Sequence, residues 1–176
     1  MRIHISLARQ ILTLLDERDI PLCRYPVSTA ANGPGEQSGS YCTPRGKHII
    51  RARIGSGAPV NTVFVRRRPT GEIYTPELGN AFPERDWILT RILWLRGCEW
   101  GFNRDLKRDC GTQRTVDTMR RYIYIHGSPD DIVVGQAGSH GCIRMKNSDL
   151  IELFECVSVG TVVEIDNADD FRGCLE

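Results

Sequence analysis

A thiol, two imidazoles and several glycines crowd into one stretch of this 176-residue chain, residues 122–145, which reads YIYIHGSPDDIVVGQAGSHGCIRM. It holds two of the four histidines and one of the seven cysteines. These are the components of a cysteine nucleophile. An unperturbed thiol, with a pKa of ~8.5, is only a few per cent ionised near neutrality. Cys142 therefore needs a partner, and His126 is the candidate, because an adjacent imidazolium would stabilise the thiolate and return the proton to a leaving group. The two lie 16 positions apart, enough for the chain to fold back and bring them together. Gly141 lets the backbone approach an electrophile, so the amides around Gly141 and Cys142 could hold the oxyanion of a tetrahedral intermediate.

Other readings of the same residues stand beside this one. Cys142 could be an inert buried thiol, and His126 a satisfied core histidine. His126, His140 and Cys142 could bind zinc, although the chain has no CxxC or HExxH spacing. Residues 122–125 alternate aromatic and β-branched side chains and predict a strand. Gly127 should break that strand and leave the His126 ring at its exposed end. Ile132, Val133 and Val134 predict a short return strand before the glycine-rich turn at 135–138.

The pattern Ile-His-Gly-Ser, a spacer, then Ser-His-Gly-Cys-Ile-Arg-Met resembles the signature of the YkuD-type L,D-transpeptidases, enzymes of bacterial peptidoglycan. Tyr25-Pro26-Val27-Ser28-Thr29, the Asn32-Gly33-Pro34-Gly35 turn, Thr43-Pro44-Arg45-Gly46 and Val162-Val163-Glu164-Ile165 extend the similarity over nearly the whole chain. The resemblance implies Cys142 as the acylated nucleophile and His126 as its base, with a backbone carbonyl near Gly127 or Ser128 orienting the ring. It carries over Ser139, His140, Gly141 and Arg144 as motif residues around the acyl and carboxylate sites. It also implies a mobile substrate lid at about residues 71–117, from which Trp87, Trp100 or Phe102 could line the cleft, and Tyr124 and Trp100 are the aromatic substrate contacts expected. The fold implied is mainly β, a sandwich of two packed sheets with a few short helices. No cofactor or metal is expected.

The elements that must position these groups belong to a single domain spanning 1–176, long enough to bury a substantial core. A net charge of +1 marks neither a nucleic-acid binder nor an acidic-surface seeker. Seven scattered cysteines, odd in number, suit a reducing compartment better than a disulfide framework. Residues 2–8 alternate like a strand where a secretory leader would show an unbroken apolar run. No stretch reaches the ~18 apolar residues of a membrane span. These features predict a cytoplasmic protein, or a periplasmic one if a leader has been removed.

Strands are predicted at about 2–8, 10–15, 20–28, 48–54, 62–65, 88–95 and 161–165, with an irregular crossing loop over 97–111. The Arg66-Arg67-Arg68 run reads as a solvated rim, with an approach for anionic substrate as the alternative. Trp94 falls inside an apolar strand and is expected in the core. Cys98 and Cys110 are expected as free thiols. Asn147 and Ser148 predict a helix start, with Asp149 in the first turn and Leu150, Ile151, Phe154 and Val157 on one face.

The chemistry implied is attack of the thiol on the amide between the L-centre of a tetrapeptide stem and its terminal D-alanine. Water would then release a tripeptide (L,D-carboxypeptidation), and an amine would give a 3→3 cross-link. A reducing compartment favours hydrolysis of recycled wall peptides. The expected partner is thus a peptidoglycan tetrapeptide or muropeptide, with no nucleic acid, membrane segment or obligate protein partner. A catalytically dead wall-peptide binding module is the alternative of a different class.

Overall fold

In the computed structural model, residues 1–109 and 111–168 are described. Twelve strands and two helices follow in the order β1 (Arg2–Ser6), β2 (Ile11–Leu15), β3 (Pro21–Pro26), β4 (Gly46–Ile54), β5 (Thr62–Val65), β6 (Arg68–Ile73), α1 (Pro76–Ala81), β7 (Ile88–Gly97), β8 (Leu106–Asp109), β9 (Thr112–Thr115), β10 (Tyr124–Gly127), β11 (Ile143–Met145), α2 (Asn147–Cys156) and β12 (Val162–Asp166). The mainly β architecture that the sequence predicts is present, and its opposing layers belong to one continuous ladder. The strand order is β11-β10-β7-β4-β12-β1-β2-β3, with β5 joined to β7 and β6 to β5. The ends of this path meet: the Ser28 amide donates to Arg144 O at 2.9 Å, and the Arg144 amide returns a bond to Ser28 O at 2.8 Å.

Curling the sheet in this way encloses one apolar core, in which Ile3, Leu12, Ile50, Leu93, Ile125 and Val163 from six strands meet Phe154 of α2. Burying each such side chain contributes about 1.5–3 kcal/mol. Helix α2 is amphipathic because Leu150, Leu153, Phe154 and Val157 recur at helical spacing and are buried. Leu153, not the half-exposed Ile151, completes that face. The helix packs on β7 and β10 and so sits behind the strand that carries His126.

Four expectations need correction. Residues 71–117 are not one lid, because they contain β7, a central strand paired with β10 on one side and β4 on the other. The long crossing loop includes a short hairpin, β8–β9, which the mixed charges of that segment disguise. Ile132 to Val134 form no strand, and the backbone that follows donates instead to the Val27 and Thr29 carbonyls from Gly135, Gly138 and Ser139. Asn147 is the first residue of α2 and no cap; Lys146 stands at the cap position without a side-chain bond. Cys98 is a free thiol, and Cys110 lies outside the described residues.

The strand β7 carries a local distortion opposite the catalytic stretch. Its pairing with β10 shifts between His126 and Gly127, from Ile92 to Leu89. Thr90, in the extra segment, is buried at φ 69°, an outlier for a β-branched residue. Its hydroxyl donates to Asn147 Oδ1 at 2.5 Å and accepts from the Asn61 amide at 3.0 Å. Asn147 Nδ2 in turn donates to Ser128 O at 3.0 Å and Asn61 Oδ1 at 2.9 Å. The Asn147 side chain thus satisfies the buried backbone just beyond His126 rather than the start of its own helix.

Candidate active site

Strands β10 and β11 run parallel, pairing Ile125 with Ile143, His126 with Arg144 and Gly127 with Met145. One step back along the same ladder lie Tyr124 and Cys142, where the Tyr124 amide donates to Cys142 Sγ at 3.4 Å. Side chains alternate along a strand, so Tyr124 and His126 share a face that Cys142 and Arg144 continue on the next strand. A rise of ~3.3 Å per residue and a strand spacing of ~4.8 Å put the Cα atoms of His126 and Cys142 about 8 Å apart on the diagonal. An imidazole and a thiol can span that gap between them.

The His126 ring lies inside the strand and is fully buried, not at an exposed end as the sequence suggests. Its Nδ1 lies 2.8 Å from Gly127 O. A carbonyl only accepts, so Nδ1 carries the proton and Nε2 of the neutral ring presents a lone pair. That Nε2 is buried with no hydrogen-bond partner. Unpaired buried nitrogens are rare, and this one is a base without a proton to take until a thiol or substrate supplies it.

Burial acts on the ionisation of both groups. Burial pushes the His126 pKa below its ordinary 6.5, against the raising influence of Asp86 and the Gly127 carbonyl. Burial likewise pushes the Cys142 thiol up to about 12, and Asp86 adds to the rise; the Tyr124 amide, Arg144 and Arg121 only partly offset it. Both shifts favour the neutral forms, a thiol and an unprotonated imidazole. A site with these shifts is suited to general base catalysis, in which Nε2 would take the thiol proton as sulfur attacks. Alkylation of Cys142 by iodoacetamide at pH 7 should therefore run roughly a thousandfold slower than for an ordinary thiol, and still be rising at pH 10. Fast alkylation with a plateau near neutrality would contradict this assignment. Turnover should hold level through neutrality and fall only below pH 6.5, where Nε2 becomes protonated and the base is lost.

The turn before Cys142 is tied from several sides. Ser139 Oγ donates to Cys142 O at 2.5 Å and accepts from the Gly141 amide at 3.2 Å. Thr43 Oγ1 donates to Gly141 O at 3.0 Å. Gly141 has φ 128°, and a Cβ there would press on Ile123 and on Cys42 O at 3.2 and 3.3 Å. The Gly141 amide, expected to face an oxyanion, is thus engaged within the turn. Ser128 is buried, with its Oγ donating to Met145 O at 3.1 Å, and pins β10 to β11.

Cys142 opens on a cavity of about 730 Å³ lined with Tyr124, Tyr122, Arg66, Arg67, Arg121, Asp86, Ile88 and His140. His140 is exposed and also borders two further concavities, of about 430 and 290 Å³. Arg144 donates to Asp86 Oδ1 at 2.8 Å and to Gly138 O at 3.2 Å, so its guanidinium is already engaged. Trp100, expected in the cleft, is 67% exposed in a separate hollow beside Arg51, Arg96 and Arg104. Trp87 is buried against Tyr74 and borders the 430 Å³ concavity. Trp94 is only half-buried and lies nearer the nucleophile, packed with Cys142 against the Phe64, Ile92 and Tyr124 cluster.

Sequence reasoning missed Asp86 and Arg121 and placed Arg67 on a solvated rim. Arg67 stacks on Trp94 and Tyr122, 4.6 and 4.8 Å from their centroids, and donates to Tyr124 Oη at 3.0 Å. Arg121 donates to the carbonyls of Gly35, Glu36 and Cys42. The doublet Arg120-Arg121 just ahead of the β10 strand was the available signal. Among the described residues, no three His, Cys, Asp or Glu side chains gather so as to hold a metal ion.

Residues 1–165 match the model of the YkuD L,D-transpeptidase catalytic domain. The chain belongs to this family. It is 27% identical over 154 residues to the ErfK/SrfK L,D-transpeptidase of Escherichia coli K12, a match covering 73% of this chain and 50% of that protein. It is 45% identical over 50 residues to the YkuD protein of Bacillus subtilis 168, covering 28% of this chain and 30% of that protein. The chain thus spans half or less of the length of these curated relatives. Among solved structures it resembles an L,D-transpeptidase from Mycobacterium smegmatis, with a TM-score of 0.51, 17% identity, and coverage of 93% and 57% of the two chains. The LD transpeptidase LdtMt1 in complex with imipenem gives 0.52, 18%, 93% and 57%. At such identities these structures share the fold. Among the described residues, no helix of this L,D-transpeptidase-family chain is long and apolar enough to cross a membrane.

Proposed function

We propose that this chain is a cysteine-dependent L,D-carboxypeptidase that removes the terminal D-alanine from peptidoglycan tetrapeptide stems. The observation that carries the reading is the proton-free, partnerless Nε2 of His126 on the same face of the ladder as Cys142. Sulfur attacks the amide carbonyl while Nε2 takes the thiol proton. Collapse of the tetrahedral intermediate breaks the C–N bond, and His126 passes that proton to the departing D-alanine amine. The stem remains as a thioester on Cys142. Water then attacks with its proton going to Nε2, the C–S bond breaks, and the thiol recovers its proton. Asp86 holds Arg144 beside the base, and Tyr124 helps to seat Sγ through its amide.

Hydrolysis is favoured because Cys142 faces an open cavity that water can fill. The five free cysteines among the described residues suit a reducing compartment, hence recycling of wall peptides in the cytoplasm. Transfer to an amine, giving a 3→3 cross-link, is the second reading, favoured by the two further concavities that meet the cleft at His140. Incubation with a disaccharide-tetrapeptide and mass analysis separates them. Loss of one alanine is the expected result; a dimer with one alanine fewer would establish transfer, and binding without either product would make the chain a wall-peptide binding module. Imipenem, bound by LdtMt1, should give an acyl adduct confined to Cys142.

A further inference from the structure

We propose that the tip of the β5–β6 hairpin makes the Cys142 cleft selective for stem peptides whose side carboxyls are free rather than amidated. The inference rests on the functional reading above and concerns the same site. Val65 pairs with Arg68, so the turn has only two residues, Arg66 and Arg67. Both have positive φ, 49° and 67°, the conformation of a hairpin turn in which Asn-Gly is the usual occupant. Two arginines in left-handed backbone are a local strain, and such strain persists where the surrounding structure imposes it. Here the imposition is visible: Trp94, Tyr122 and Tyr124 hold the Arg67 guanidinium against the cavity wall.

Arg66 reaches the same cavity and is exposed, and its side chain has no hydrogen-bond or ion-pair partner among the described residues. Arg121 adds a third cation whose N–H groups go to neutral acceptors. Against these three, Asp86 is the one carboxylate among the lining residues, and it is paired with Arg144. The cleft therefore carries uncompensated positive charge beside the nucleophile. A guanidinium takes a carboxylate through charge-assisted, bidentate bonds, whereas a carboxamide brings no charge and turns an N–H donor towards another donor.

Two tetrapeptides test this, one with free side carboxyls and one with those groups as carboxamides, the terminal D-alanine being the same in both. Binding to the Cys142→Ala protein is measured by calorimetry, and kcat/KM with the intact enzyme. The free-carboxyl peptide should be favoured about ten- to hundredfold in both, the range of a hydrogen bond to a charged group. Arg66→Asn removes one charge while supplying a residue that accepts left-handed backbone, so the turn is preserved. It should bring the affinity for the free-carboxyl peptide down towards that of the carboxamide. Equal binding of both peptides, a preference for the carboxamide, or a preference untouched by Arg66→Asn would overturn the inference while leaving the functional reading intact. Failure of both peptides to bind or react would overturn the inference and the functional reading together.

Discussion

Cys142→Ala is expected to bring acyl transfer to background, and His126→Ala to lower kcat/KM by about 10²–10⁴-fold, the range contributed by a positioned general base. The two losses differ in kind. Without the sulfur no thioester forms, and mass analysis should find no adduct. Without the imidazole the thiol remains but is held neutral by its surroundings, with a pKa of about 12. Residual activity of His126→Ala should then rise with pH as hydroxide does the work of Nε2. The wild-type enzyme should show no such rise, because its base is already unprotonated at neutrality. A His126→Ala enzyme that keeps wild-type turnover at pH 7 would remove the ring from the mechanism.

Gly127→Ala should be strongly destabilising for a change of one methyl group. A Cβ at this position would run into Asn147 Oδ1 and stand 2.8 Å from Leu89 O. Neither neighbour can yield. Leu89 belongs to the central strand, and Asn147 Oδ1 receives the Thr90 hydroxyl while Nδ2 satisfies Ser128 O. Displacing the amide leaves buried polar groups unpaired, and keeping it forces the backbone to move. About 3 kcal/mol of destabilisation follows from overpacking and lost hydrogen bonding together. In a protein of this size that is a fall in Tm of roughly 6–12 °C, readable by calorimetry. Turnover of the folded fraction should drop too, since Gly127 O is the acceptor that sets the His126 tautomer. A shift below ~1 kcal/mol would mean that the network is softer than its distances indicate.

Much of the scaffold was legible because its strands are short, regular and bounded by turn residues. β1, β2, β5 and β12 could be read from alternation or apolar runs, and α2 from its buried stripe. The failures have physical causes. Ile132 to Val134 have the composition of a strand, but their neighbours bond to the 27–29 segment, and Val133 is left 66% exposed. Asn147 has the chemistry of a cap, and the demand for its amide comes from Thr90 and Ser128, which are remote in sequence. The placing of His126 and Cys142 at neighbouring strands was visible as motif and spacing. Their charge state was not, because it depends on how far the folded strands take each group out of water, fully for His126 and in part for Cys142. Arg67 was misplaced for a similar reason: a triplet of arginines looks like solvent-facing charge until two tyrosines and a tryptophan are seen around it.

The mutual bonds of Ser28 and Arg144 give the molecule a seam, and the seam runs alongside the nucleophile. β11 has three residues, too few to hold its register unaided, and its outer edge is secured by a segment from the opposite end of the polypeptide. A contact of such sequence separation forms late, after most of the loop entropy has been surrendered. Competence to react is therefore a property of the finished molecule: a partly assembled or nicked chain would carry the sulfur but lack the frame that aims it.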